Sequence, residues 1–111
     1  MKTTKNEYIP SPEYFKTYTT YKEHPDIFRP KNKVPVNRIK LDRKRLAFPN
    51  PVRGKDVDYL INNFCLEGWE PIMIDTHYFL VDGQHRLEAA KRMGLKYIDV
   101  IIEDTEKLNA K

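Results

Sequence analysis

The sequence predicts a small α+β domain in which short strands are interleaved with two main helices. Three observations carry that expectation. The chain has 111 residues, too few for two independent cores of ordinary size. Its apolar residues fall in short runs, some alternating with period two and others recurring at helical spacing. Seven of the eight prolines lie within residues 1–51, so regular structure should concentrate after them.

Residues 1–33 read as an irregular arm containing prolines and aromatics. Pro10, Pro12, Pro25 and Pro30 interrupt any helical period, while Tyr8, Tyr14, Phe15, Tyr18, Tyr21 and Phe28 sit among polar residues. Disordered tails are usually poor in aromatics, so part of the arm should pack on the domain or on a protein partner. A short helix is expected near Pro12–Tyr21, where Ser11 can cap and Pro12 can occupy the first turn. Val34, Val36, Ile39 and Leu41 approximate an alternating strand, with Pro35 marking its start or an edge.

The stretch 42–54 is basic, and Pro49, Asn50, Pro51 and Gly54 make it a loop. From Lys55 to Leu66 the period becomes helical: Val57, Leu60, Ile61, Phe64 and Cys65 share a face, and Gly68 follows as a stop. On that face Cys65 reads as a buried, inert thiol. Pro71–Asp75 and Tyr78–Asp82 read as two strands joined by a turn at Thr76–His77. A helix then runs from about Gln84 to Met93 with Leu87, Ala90 and Met93 as its buried stripe, and Gly94 ends it. Tyr97–Ile102 is the last strand, and residues 104–111 form a polar tail.

Composition narrows the function classes. No apolar run approaches the roughly 20 residues needed to span a bilayer, and the first residues lack the apolar core of a signal peptide. A cytoplasmic location without membrane contact is the expectation. One cysteine and three scattered histidines do not make a zinc ligand set. The net charge of +4 hides an asymmetry. Residues 1–55 carry 14 basic and 5 acidic side chains, and residues 56–111 carry 6 and 11. Arg38, Lys40, Arg43, Lys44 and Arg45 form a basic run that reads either as a solvated face or as a surface tracking nucleic-acid phosphates. Phe48, beside it, can stack on a base or anchor the loop in the core.

The most specific segment is DGQHRLEAAKRMG, Asp82–Gly94. Gly83 lets a strand turn sharply into a helix whose first amides have no helical partner. Those amides and the positive end of the helix dipole attract phosphate. Arg86 can fork phosphate oxygens, His85 can donate one hydrogen bond, and Gln84 can orient a ligand or a water. Asp82 either caps the helix or holds a divalent cation bridging phosphates.

This motif resembles the signature of the ParB/sulfiredoxin-like superfamily, in which a strand–glycine–helix element binds nucleotide phosphates. The likeness extends over the stretch 34–103, through VPVNRIKL, the PNPVR loop, the helix followed by PIMI, YFLVDGQHR and YIDVII. The resemblance implies a short mixed sheet with two to four helices. It also implies a nucleotide, ATP or CTP, held by Gly83, Gln84, His85, Arg86 and the loop residue Arg53, with Mg²⁺ on Asp82. Sulfiredoxins place a nucleophilic cysteine where this sequence has Gln84, so sulfinic-acid reduction is not expected. ParB proteins carry Gly-Glu-Arg-Arg where this chain has Gly83-Gln84-His85-Arg86. The resemblance leaves three readings open. One is a nucleotide- or nucleic-acid-phosphate-binding module in DNA transactions of a plasmid or phage. The second is a Mg²⁺-dependent enzyme, a phosphotransferase, nucleotide hydrolase or nuclease, with Asp82 as candidate catalytic residue, joined in the nuclease case by Asp75 or Asp99. The third is a protein-interaction module docking through residues 1–33, with a vestigial phosphate site.

Overall fold

The computed structural model describes residues 7–11 and 23–110. The helix expected near Pro12–Tyr21 lies outside the described residues. Four strands form one mixed sheet: β1 (Phe28–Pro35), β2 (Ile72–Asp75), β3 (Leu80–Asp82) and β4 (Tyr97–Glu103), in the order β1-β4-β2-β3. β4 pairs antiparallel with β1 and parallel with β2, while β2 and β3 form an antiparallel hairpin. Among the described residues the helices are α1 (Gly54–Asn62), α2 (Gln84–Arg92) and a short α3 (Thr105–Asn109).

Alternation along β4 divides the core. Ile98 and Val100 join the main cluster with Val34, Ile72, Ile74, Leu80, Leu87, Ala90 and Trp69. Ile101, on the opposite face, meets Ile27 and Phe28, with Met73 packed against them. Burying one such aliphatic side chain contributes about 1.5–3 kcal/mol. α2 follows β3 directly, so the β2–β3–α2–β4 path returns β4 parallel to β2, as a helical crossover requires.

The first strand departs from expectation. It begins at Phe28, crossing the expected boundary at residue 34, and it ends at Pro35; residues Val36–Arg38 instead form a 3₁₀ turn. β1 is an edge strand whose middle residues are exposed, so it shows no apolar alternation to read. Lys33 adopts φ 57° within a register shift between Lys31 and Val34. Leu41, expected on the strand, is exposed. A shorter pairing does survive there: Lys40 donates its amide to Tyr78 O and accepts from Leu80 N, both at 2.8 Å. This adds a single rung outside β3.

The first helix also stops early, at Asn62, four residues before the expected end. Phe64 and Cys65 therefore leave the helix. Cys65 is exposed, not buried, and its thiol donates to Glu67 Oε2 at 3.1 Å. Trp69 covers the helix end as a buried residue; its indole N–H reaches Ile9 O at 3.1 Å, and Phe64 lies 5.4 Å from its ring. The expected helix 84–93 ends one residue sooner, with Gly94 at φ 79° just beyond it. Residues 105–109 of the polar tail are helical, capped by the Asp104 carboxylate.

Two buried aspartates organise the connections. Asp75 accepts from the amides of His77 and Phe79 at 2.8 and 3.0 Å and from Arg45 at 3.2 Å, closing the β2–β3 turn. Asp99, in the middle of the last strand, accepts from Tyr8, Ser11 and Lys33. That set fastens residues 7–11 to the sheet.

Candidate functional site

At the junction between β3 and α2 the backbone dictates glycine twice. Gly83 has φ 108°, in the left-handed region, and a Cβ there would stand 2.7 Å from Ile72 Cγ2. The turn it makes aims the start of α2 outward. The first helical bond runs from Leu87 N to Gly83 O at 2.9 Å, and no side chain caps the end. The amides of Gln84, His85 and Arg86 are thus left without helical acceptors.

Those residues open onto a cavity of about 180 Å³ whose walls include Asp82, Gly83, Gln84, His85 and Arg86, closed on its apolar side by Leu46, Leu60 and Val81. Each side chain is held differently. Gln84 donates Nε2 to Phe48 O at 3.2 Å and to Asn50 O at 2.8 Å, tying the proline-bounded loop to the helix. Arg86 anchors one guanidinium nitrogen on Pro71 O at 3.0 Å. His85 Nε2 accepts from the Arg53 amide at 3.3 Å. Asp82 is exposed at the end of β3 and lines the cavity, with no cation paired to it among the described residues.

Of the sequence-predicted set, Gly83, Gln84, His85 and Arg86 line this one cavity, while Arg53 reaches it only through its amide on His85. The unpredicted member is Asp56. Its Oδ2 lies 2.8 Å from Arg53 Nε and 3.8 Å from His85 Nε2. The Arg53 hydrogen bond, with the charges of Arg53, His85 and Lys55, holds the Asp56 carboxyl below the usual carboxylate range. The three-residue spacing of Arg53 and Asp56 at a helix start was the available signal. Phe48 lies on the cavity rim and is 66% exposed, so it is not a core anchor.

The other expected carboxylates do not join Asp82. In the hairpin register Asp82 faces Met73, while Asp75 is at the far end of β2 and is engaged by turn amides and Arg45. Asp99 is engaged by Tyr8, Ser11 and Lys33. The two-carboxylate arrangement expected for a nuclease is not assembled. Among the described residues no three His, Cys, Asp or Glu side chains gather to hold a metal.

The basic run divides. Arg45 is bound to Asp75 and Asp42, and Arg43 donates to Pro49 O at 2.6 Å. Lys44 is exposed. Arg38 and Lys40 lie over the rings of Tyr78 and Phe79, at 4.5 and 4.8 Å. No helix among the described residues is long and apolar enough to cross a membrane.

No family model and no curated protein matches the chain. Its architecture does match solved structures. A pNOB8-like ParB N-domain aligns over 74% of this chain and 34% of its own, with 20% identity and a TM-score of 0.53. Sulfiredoxin from Arabidopsis thaliana aligns over 70% and 91%, with 23% identity and a TM-score of 0.54. The chromosome-partitioning protein ParB from Caulobacter crescentus, in a C-terminally truncated form complexed with CTP-gamma-S, aligns over 69% and 44%, with 21% identity and a TM-score of 0.55. The chain has the ParB/sulfiredoxin-like fold. It spans about a third of the pNOB8-like chain it matches.

Proposed function

We propose that this domain binds the phosphates of a nucleotide at the start of α2 and serves DNA transactions of a plasmid or phage. The observation that carries the reading is the uncapped helix end behind Gly83, facing a cavity into which Arg86 and His85 also project. Three free amides, a helix dipole and a guanidinium make an anion cradle. The CTP-gamma-S complex of a ParB with the same fold supports a nucleotide, ATP or CTP, as the anion. A cavity of about 180 Å³ is smaller than the usual 300–1,000 Å³ of a whole-ligand site. It accommodates phosphate groups, leaving base and ribose outside, beside the exposed Phe48. Asp82 supplies one carboxylate at the rim, which suits Mg²⁺, since that ion commonly takes one or two carboxylates and completes its shell with phosphates and water. Such a role belongs in the cytoplasm.

Thermal-shift measurements with ATP, ADP, CTP and GTP, each with and without Mg²⁺, test this. A triphosphate should raise the melting temperature, and Arg86→Ala should abolish the rise. No shift with any nucleotide overturns the reading; a shift that survives Arg86→Ala moves the site elsewhere.

A further inference from the structure

A second site lies beyond the opposite end of β3. Over residues 28–45 the chain carries eight basic side chains and a single acid, Asp42. Several cationic side chains elsewhere are neutralised locally: Arg53 by Asp56, Arg92 by Asp58 and Glu88, Lys96 by Glu7. Lys31, Arg38 and Lys40 form no ion pair among the described residues. Aromatic groups hold them instead. The Arg38 guanidinium lies 4.5 Å from the Tyr78 ring centre, Lys40 Nζ lies 4.8 Å from that of Phe79, and Lys31 Nζ donates to the Tyr78 hydroxyl at 3.2 Å.

The backbone that carries Tyr78 and Lys40 is held by hydrogen bonds. Tyr78 packs against the main core and sits at φ 69° in a turn closed by Asp75. Lys40 is fixed by its two backbone bonds to the hairpin. Asp75, the buried acid of the adjoining turn, has its oxygens occupied by two amides and Arg45. Arg38, Lys40, Thr76, His77 and Tyr78 surround an open cleft of about 300 Å³.

We propose that this cleft binds a single strand of nucleic acid, with Arg38 and Lys40 on successive phosphates and the Arg38–Tyr78 stack as a platform for a base. Unpaired cations supply sequence-independent affinity for phosphodiesters. The Arg38 guanidinium lies over the Tyr78 ring, and base stacking on aromatic and arginine planes is how single strands are gripped. An acidic polypeptide would satisfy the charges but not the plane. The site is separate from the nucleotide cradle: the strand Leu80–Asp82, about 10 Å long at 3.3 Å per residue, stands between them.

Fluorescence anisotropy with the full chain and a labelled oligonucleotide of about 20 nucleotides, between about 50 and 200 mM salt, tests the proposal. The protein should bind at low salt and lose affinity steeply as salt rises. Arg38→Ala with Lys40→Ala should weaken binding about tenfold and reduce the log–log salt slope by about 1.4, two single-strand phosphates' worth. The single exposed change Lys40→Gln should reduce it by about 0.7 and leave the melting temperature unchanged. Arg86→Ala, which disables the cradle, should leave strand binding intact, so the two sites fail independently. Absence of a complex at low salt overturns the proposal, as does an unchanged slope in both variants. Equal competition by polyglutamate assigns the cleft to an acidic polypeptide, and tighter binding of duplex removes the stacking platform; either result also overturns it.

Discussion

Tyr8 donates its hydroxyl to Asp99 Oδ1 at 2.7 Å, joining residues 91 positions apart. The amides of Ser11, at 2.8 Å, and Lys33, at 3.0 Å, complete the set on the same carboxylate. Asp99 is fully buried. A charge in the middle of an apolar strand is thus the anchor of two other segments. Asp99→Ala would leave three donors without their acceptor and should cost about 2–4 kcal/mol in urea denaturation. A loss below about 0.5 kcal/mol would contradict this account.

The same contact gives an alkaline signature. Burial, then the Asp99 hydrogen bond and charge, push the Tyr8 hydroxyl up to about 12. In the unfolded chain it titrates near 10. Between those values the folded state retains a proton that the unfolded state has lost. Tyr8 therefore stabilises fully below pH ~10, and its contribution disappears as pH rises towards ~12. Tyr8→Phe should show a smaller decline in stability over that window, measured by denaturation at a series of pH values. Parallel wild-type and variant profiles would remove Tyr8 as the source.

Gly83 and Gly54 offer a matched pair of substitutions. Gly83→Ala meets both a left-handed φ and the Ile72 side chain at 2.7 Å, and should destabilise by about 2–3 kcal/mol. Gly54→Ala enters open space at the start of α1 and should be neutral or stabilising by up to about 1 kcal/mol. Thermal denaturation of both, side by side, checks the pair. Equal effects would contradict the geometry at Gly83.

The parts legible in the sequence were those whose side chains alternate between core and solvent. β2, β3, β4 and α2 lie within one or two residues of their expected bounds because Ile72, Ile74, Leu80, Ile98, Val100, Leu87 and Ala90 all enter the core. β1 was not legible because its pairing to β4 is made by backbone, with Lys31 and its neighbours exposed and Pro30 inside. Cys65 was misplaced because Leu60, Ile61 and Phe64 continue a helical period past the point where the backbone leaves the helix. The cavity wall at the start of α2 was readable from Gly83 to Arg86 as one contiguous motif. Asp56 and Tyr78 were not, since their roles depend on distant partners, His85 and Arg38.

Asp56 sits against both Arg53 and His85. It competes with any anion for Arg53 and His85, so Asp56→Asn should bind triphosphate several-fold more tightly than the wild type. Isothermal titration checks this. Unchanged affinity would place Arg53 and His85 outside the cradle's working groups.

The position of β4 governs the order in which the molecule can assemble. It is the last strand made, yet it lies between β1 and β2, with Phe28 paired to Glu103 at one end. On a ribosome adding about 5–20 residues per second, residues 7–11 and β1 emerge long before their shared partner. The β2–β3 hairpin and α2 can form first from local contacts, while residues 7–11 and β1 wait for β4. The sheet is complete only once β4 lies between β1 and β2. Pairings this distant in sequence, such as Phe28 with Glu103, slow folding relative to local contacts.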